Sequence, residues 1–69
     1  GEESRMQRWE YRIAYRSETS GDWFIDGRKA GDLGKAEEPE VLNRLGQEGW
    51  ELVSVVGYTY FFKRLVKER

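Results

Sequence analysis

Few residues in this chain are of types that do covalent or acid–base chemistry. There is no histidine and no cysteine among its 69 residues. The common nucleophile–base pairs therefore cannot be assembled, and the usual ligands of zinc, copper and haem are missing. Ser4, Ser17, Ser20 and Ser54 sit in no nucleophile motif. General acid–base work would fall to Asp, Glu, Lys or Tyr alone. Two carboxylate pairs stand close in sequence, Asp22 with Asp26 and Glu48 with Glu51. Turn and surface groups account for both more simply. Neither a Walker loop nor a dinucleotide fingerprint is present. These residues predict a non-enzymatic protein with no catalytic residue, no cofactor and no metal ligand.

Binding chemistry is better represented. Gly46-Gln47-Glu48-Gly49 has the outward form of a loop that clamps a nucleic-acid backbone. Its two central residues are Gln and Glu, and an acid opposes a phosphate, so the end of a helix is the simpler reading. Arg8, Arg12 and Arg16 share one row of an alternating segment, with Glu10 between the first two. Lys63 and Arg64 lie on a segment expected to pair with it. Such a basic face beside sheet aromatics could hold a single strand by phosphate contact and base stacking. Against this, Lys and Arg total 12 and Asp and Glu 13, a net charge of -1, which is not the footprint of a nucleic-acid binder. A charged row that blunts a sheet edge is the plainer alternative.

The aromatics are the informative surplus. Three Trp, four Tyr and three Phe exceed what one short helix can cover. The sheet face away from the helix needs a lid, which could be a hairpin at Trp23-Phe24-Ile25, a second subunit or a ligand. Exposed apolar patches of several hundred Å2 mark interaction sites. The candidates for that face are Trp23, Phe24, Val53, Val55 and Phe61. A small-molecule pocket under residues 21–31, with Trp23 and Asp26 as its first residues, is a further alternative.

These residues need a scaffold to position them. Residues 1–6 are polar and read as a disordered tail or cloning remnant. From Arg8 to Arg16, Trp9, Tyr11, Ile13 and Tyr15 alternate with charged residues and Ala14, the pattern of a half-buried strand. Residues 17–36 are glycine-rich, and Asp26-Gly27 is a hairpin signal that would return the chain through Arg28-Lys29-Ala30. A helix begins near Glu37 or Glu38, with Pro39 in its first turn and acids at the positive end of its dipole. Val41, Leu42 and Leu45 form its apolar stripe. Gly49 is the expected left-handed cap, and Gly46 is expected to allow close approach of helix and sheet. Trp50–Val56 comes next as a strand, with Trp50, Leu52 and Val56 on one side and Val53 and Val55 on the other. Gly57 turns it into a last strand reaching Leu65.

The expected domain, residues 7–66, is thus a small α+β unit. Its sheet is mainly antiparallel with about three strands, the last central, and one helix covers one face. Residues 67–69 read as a tail. A domain this small buries a modest fraction of its surface. Without disulfides, its stability must rest on its core, a partner or both. The expected partner is protein, self or other, ahead of nucleic acid. No segment approaches the roughly 18–20 apolar residues needed to span a bilayer, and the cytoplasm is the default setting.

Trp9-Glu10-Tyr11, the centre from Leu42 to Val53 (Leu-Asn-Arg-Leu-Gly-Gln-Glu-Gly-Trp-Glu-Leu-Val) and Phe62-Lys63-Arg64 together resemble the small domain-of-unknown-function family numbered 4177. The resemblance covers most of the chain. Its central motif is the specific part; the 17–36 segment is longer and richer in glycine than the family pattern. The resemblance implies a small α+β domain and brings no assigned activity or catalytic residue.

Overall fold

The computed structural model describes residues 7–67. The chain forms β1 (Trp9–Arg16), β2 (Trp23–Ile25), β3 (Arg28–Lys29), α1 (Glu38–Gln47), β4 (Glu51–Val56) and β5 (Thr59–Leu65). One sheet holds all five strands in the order β3-β2-β1-β5-β4, and every neighbouring pair is antiparallel. The last strand lies between β1 and β4, as the apolar pattern predicts. The sheet has five strands rather than about three because the 23–29 hairpin joins it. Strands of three and two residues are too short to show a period in sequence.

That hairpin turns where expected. Asp26 and Gly27 both have positive φ, 51° and 85°, as a type I′ turn requires. Asp26 also fastens the turn to β1. Its backbone N–H donates to the Ile13 carbonyl (2.8 Å), and its carboxylate accepts from the Ile13 N–H (2.9 Å) and Arg12 Nε (3.2 Å).

The helix starts after Glu37 with Pro39 in its first turn and Glu38 and Glu40 at its positive end. It stops in a Schellman motif. Trp50 N–H donates to the Leu45 carbonyl (3.0 Å) and Gly49 N–H to the Gly46 carbonyl (2.9 Å), with Gly49 at φ 96°. The two apolar ends of this motif, Leu45 and Trp50, are both buried, which is the hydrophobic contact that accompanies such a stop. Gly46 does not mediate close packing. It is exposed, and a Cβ there would meet nothing within 4 Å.

The core lies between the helix and one sheet face. It consists of Ala14, Trp23, Val41, Leu45, Trp50, Tyr60 and Phe62, flanked by Ile25, Ala30, Leu33, Ala36 and Leu42. The β1 row facing the helix is therefore that of Arg12, Ala14 and Arg16, not the aromatic row. Ala14 is completely buried at its centre. The two arginines flank it and cover aromatic rings: the Arg12 guanidinium lies 4.7 Å from the Trp50 ring centre and that of Arg16 5.7 Å from Trp23. Arginine suits this position because its stem packs on apolar surface while its flat, weakly hydrated head stacks on a ring.

Strand β4 departs from its expected pattern in two ways. A bulge between Leu52 and Ser54 shifts its register against β5. Val55, opposite Tyr60, consequently shares the helix-side row with Leu52, while Val56, opposite Thr59, turns to the other face. This reverses the expected sides of Val55 and Val56, because one extra residue inverts every side chain beyond it. In addition, all six residues of β4 are exposed, since it is an edge of the sheet.

Candidate interaction surface

Directly paired residues in neighbouring strands project to the same side of a sheet. The register therefore defines the face away from the helix. Across β1 and β5 it carries Trp9 with Leu65, Tyr11 with Lys63, Ile13 with Phe61 and Tyr15 with Thr59. Phe24 extends it through its pairing with Tyr15, the two rings tilted with centroids 6.1 Å apart. Val56 extends it on the other side through Thr59. No described segment covers this face. Tyr11 is 69% exposed, Val56 65%, Leu65 45% and Ile13 43%.

The size of this surface is the deciding quantity. Side chains of roughly 150–250 Å2 each, exposed to these fractions, with Trp9 at 40% and Tyr15 at 39%, present on the order of 600 Å2 together. That stands at the upper end of the roughly 300–600 Å2 of the largest apolar patch on a typical monomer. Charge is sparse on it. Lys63 sits beside Glu51 in register and lays its ammonium 4.3 Å from the Trp9 ring centre. Lys29 stands at the far edge, opposite Phe24.

The five candidates for the interaction face divide. Phe24 and Phe61 lie on the open face, half-buried by their neighbours. Val53 is exposed at the bulge. Trp23 is instead at the centre of the core, completely buried, its indole N–H donating to the Ala36 carbonyl (2.8 Å). Val55 faces the helix side. Missing from the candidates were Trp9, Tyr11, Ile13, Tyr15, Val56 and Leu65. The alternation made the β1 row visible; period two alone does not say which row meets the helix.

The five basic candidates do not form one face. Arg12, Arg16 and Arg64 share the helix side, whereas Lys63 lies on the open side. Strand β1 is also interior rather than an edge, so its charged row does not serve as edge protection. Arg12, Arg16 and Arg64 are committed to neighbours. Arg12 pairs with Asp26 (3.2 Å) and Glu48 (3.8 Å), and Arg16 with Glu37 (3.9 Å). Arg64 pairs with Glu10, donates to the Glu48 carbonyl (2.8 Å) and lies 4.2 Å from the centre of the Trp50 ring. Trp50 is thus stacked by two guanidiniums. Arg8 also has an interaction partner.

At the N-terminal end of the helix, Tyr60 donates a hydrogen bond to the Glu38 carboxylate. Burial, reinforced by that carboxylate, pushes the Tyr60 hydroxyl up to about 12. On the loop, the Asp22 carboxyl is held below its ordinary value, first by the hydrogen bond from Lys35 and then by Ser20, with Lys29 adding charge. Both groups are tied to structural partners rather than to an open reactive site. Among the described residues no group of three or more acidic side chains is placed to hold a metal ion, and no helix is long and apolar enough to cross a membrane. A cleft of about 270 Å3 opens on the helix side, beside the hairpin. Neither Trp23 nor Asp26 lines it.

These features define a small α+β domain with a one-helix core and an uncovered sheet face. The chain belongs to the family described as Domain of unknown function (DUF4177), whose model matches residues 9–65. No curated protein and no solved structure matched the chain.

Proposed function

We propose that this chain is a non-enzymatic association module and that its open sheet face binds the same face of a second copy. The observation that carries the proposal is the extent of apolar surface around Ile13 and Phe61. An area on the order of 600 Å2 is most of the roughly 800 Å2 per partner that a standard specific interface buries. Sheet-on-sheet packing of two such faces would give a sandwich with inner side chains interdigitated. The chain's small net charge of -1 offers little electrostatic resistance to self-association. Dimerisation would also supply burial that a domain this small lacks alone. A cytoplasmic setting goes with this proposal and fits a chain without cysteines.

Single-stranded nucleic acid is the less favoured partner. The basic candidates are divided between two faces, and Arg12, Arg16 and Arg64 on the helix side already hold carboxylates and rings. Light scattering over a micromolar concentration series tests the proposal. A dimer that dissociates on dilution supports it. A monomer throughout, binding no dye sensitive to exposed apolar surface, contradicts it. A monomer that does bind the dye moves the occupant of the face to another protein.

A further inference from the structure

The helix-side cleft lies across the sheet from the association face and belongs to a different chemistry. Its apolar wall is built from three parts of the chain: Ile25 of β2, Ala30 and Leu33 of the loop, and Leu45 of the helix. Its charged lining is unbalanced. Arg12, Arg28, Lys29 and Arg44 stand against Asp32 and Glu48.

Internal pairing removes most of these charges from consideration. Asp32 is held by Arg44 (3.4 Å). Glu48 and the neighbouring Asp26 are held by Arg12. Lys29 reaches Asp22 at 3.8 Å. Arg28 alone among the cleft cations has no ion-pair partner among the described residues. It sits on β3, opposite Ile25 in register. One guanidinium with its fork unoccupied therefore stands beside an apolar wall.

We infer that this cleft binds a small organic monoanion, a carboxylate carrying a compact apolar body, with Arg28 gripping the carboxylate and Leu33, Ile25 and Leu45 receiving the body. Guanidinium and carboxylate match two-to-two in hydrogen-bond geometry. The volume falls just below the roughly 300–1,000 Å3 of typical small-molecule pockets, so the ligand is smaller than a drug-sized molecule. Two rim carboxylates stand against a more highly charged anion. The apolar wall gives a bare inorganic ion nothing to contact.

The test is a titration of the full 15N-labelled chain followed by amide chemical shifts, with benzoate as the probe. Benzamide serves as its neutral counterpart, and inorganic phosphate as an anion without an apolar body. The expected result is saturable benzoate shifts confined to residues 25–33 and 44–48. Arg28→Gln, at an exposed position, weakens binding by roughly tenfold or more, and Arg28→Lys restores part of it. Shifts that never saturate or that scatter over the surface overturn the inference. So do equal binding of benzamide or phosphate, or an unchanged affinity in Arg28→Gln. Sedimentation of the same sample reads the oligomeric state separately, so a monomer that still binds benzoate supports the cleft while removing the dimer.

Discussion

Ile13 and Phe61 are cross-strand partners at the centre of the sheet face that the helix does not cover. On the opposite face the next pair, Ala14 with Tyr60, is buried beneath the helix layer. One residue's shift along the same two strands thus separates a closed core from an open apolar surface. The difference lies in what each face is given to pack against. Trp23, Val41, Leu45 and Trp50 all converge on one side, and no described element crosses to the other.

The two glycines near the helix end should respond to alanine with opposite signs. Gly49 sits at φ 96°, where a Cβ is strained. Gly49→Ala should therefore destabilise the fold by about 1 kcal/mol or more. Gly46 is helical, and its added Cβ would meet nothing. Gly46→Ala should stabilise by about 0.5–1 kcal/mol. Urea unfolding monitored by circular dichroism separates the two.

Asp26 combines a positive φ with a carboxylate bond to the Ile13 N–H. Asp26→Ala loses both the tolerance for that backbone and the acceptor, and should cost about 1–2 kcal/mol. Asp26→Asn keeps a side-chain oxygen and a residue suited to left-handed backbone, and should cost less than half as much as Asp26→Ala. Equal losses in the two variants, measured in the same urea titrations, would show that the side-chain bond contributes little.

Tyr60 sets a limit on alkaline stability. Its folded value is raised to about 12 from an unfolded value of about 10. The fold therefore favours the protonated hydroxyl. That contribution is fully present below about pH 10 and is lost as pH rises through about 12. The difference in melting temperature between the parent chain and Tyr60→Phe should accordingly shrink between pH 10 and 12. A difference that stays constant over that window would mean that the hydroxyl titrates alike in both states.

Much of the fold was legible because particular residues have few alternatives. Pro39 and its acidic neighbours marked the helix start, Gly49 its end and Asp26-Gly27 the hairpin. The density of aromatics marked an excess of apolar surface over what one helix can bury. The faces were harder to read. In β1, an Arg-Ala-Arg row packs inward because Ala14 leaves room between two arginines whose heads stack on Trp50 and Trp23. Polarity alone assigns that row to solvent. In β4, the bulge beside Val53 inverts the side chains of Val55 and Val56, and a strict two-residue period cannot register an extra residue. An uncovered apolar sheet face was thus anticipated as a property of the chain, but Trp23 and Val55 lie on the helix side and not on that face. Residues 1–6, expected to be a tail, lie outside the described residues, as do the last two.

The most direct measurement is sedimentation equilibrium on the parent chain, on Tyr11→Lys and on Ile13→Lys, with circular dichroism to verify that each variant is folded. Tyr11 is the more exposed of the two, so its replacement leaves the core untouched. A desolvated charge at the centre of a dimer interface is strongly unfavourable. The parent should sediment as a dimer at micromolar concentration and both folded variants as monomers, with dissociation constants raised by roughly a hundredfold or more. A parent chain that is monomeric at all accessible concentrations, or folded variants that dimerise as tightly as the parent, would contradict self-association through this face.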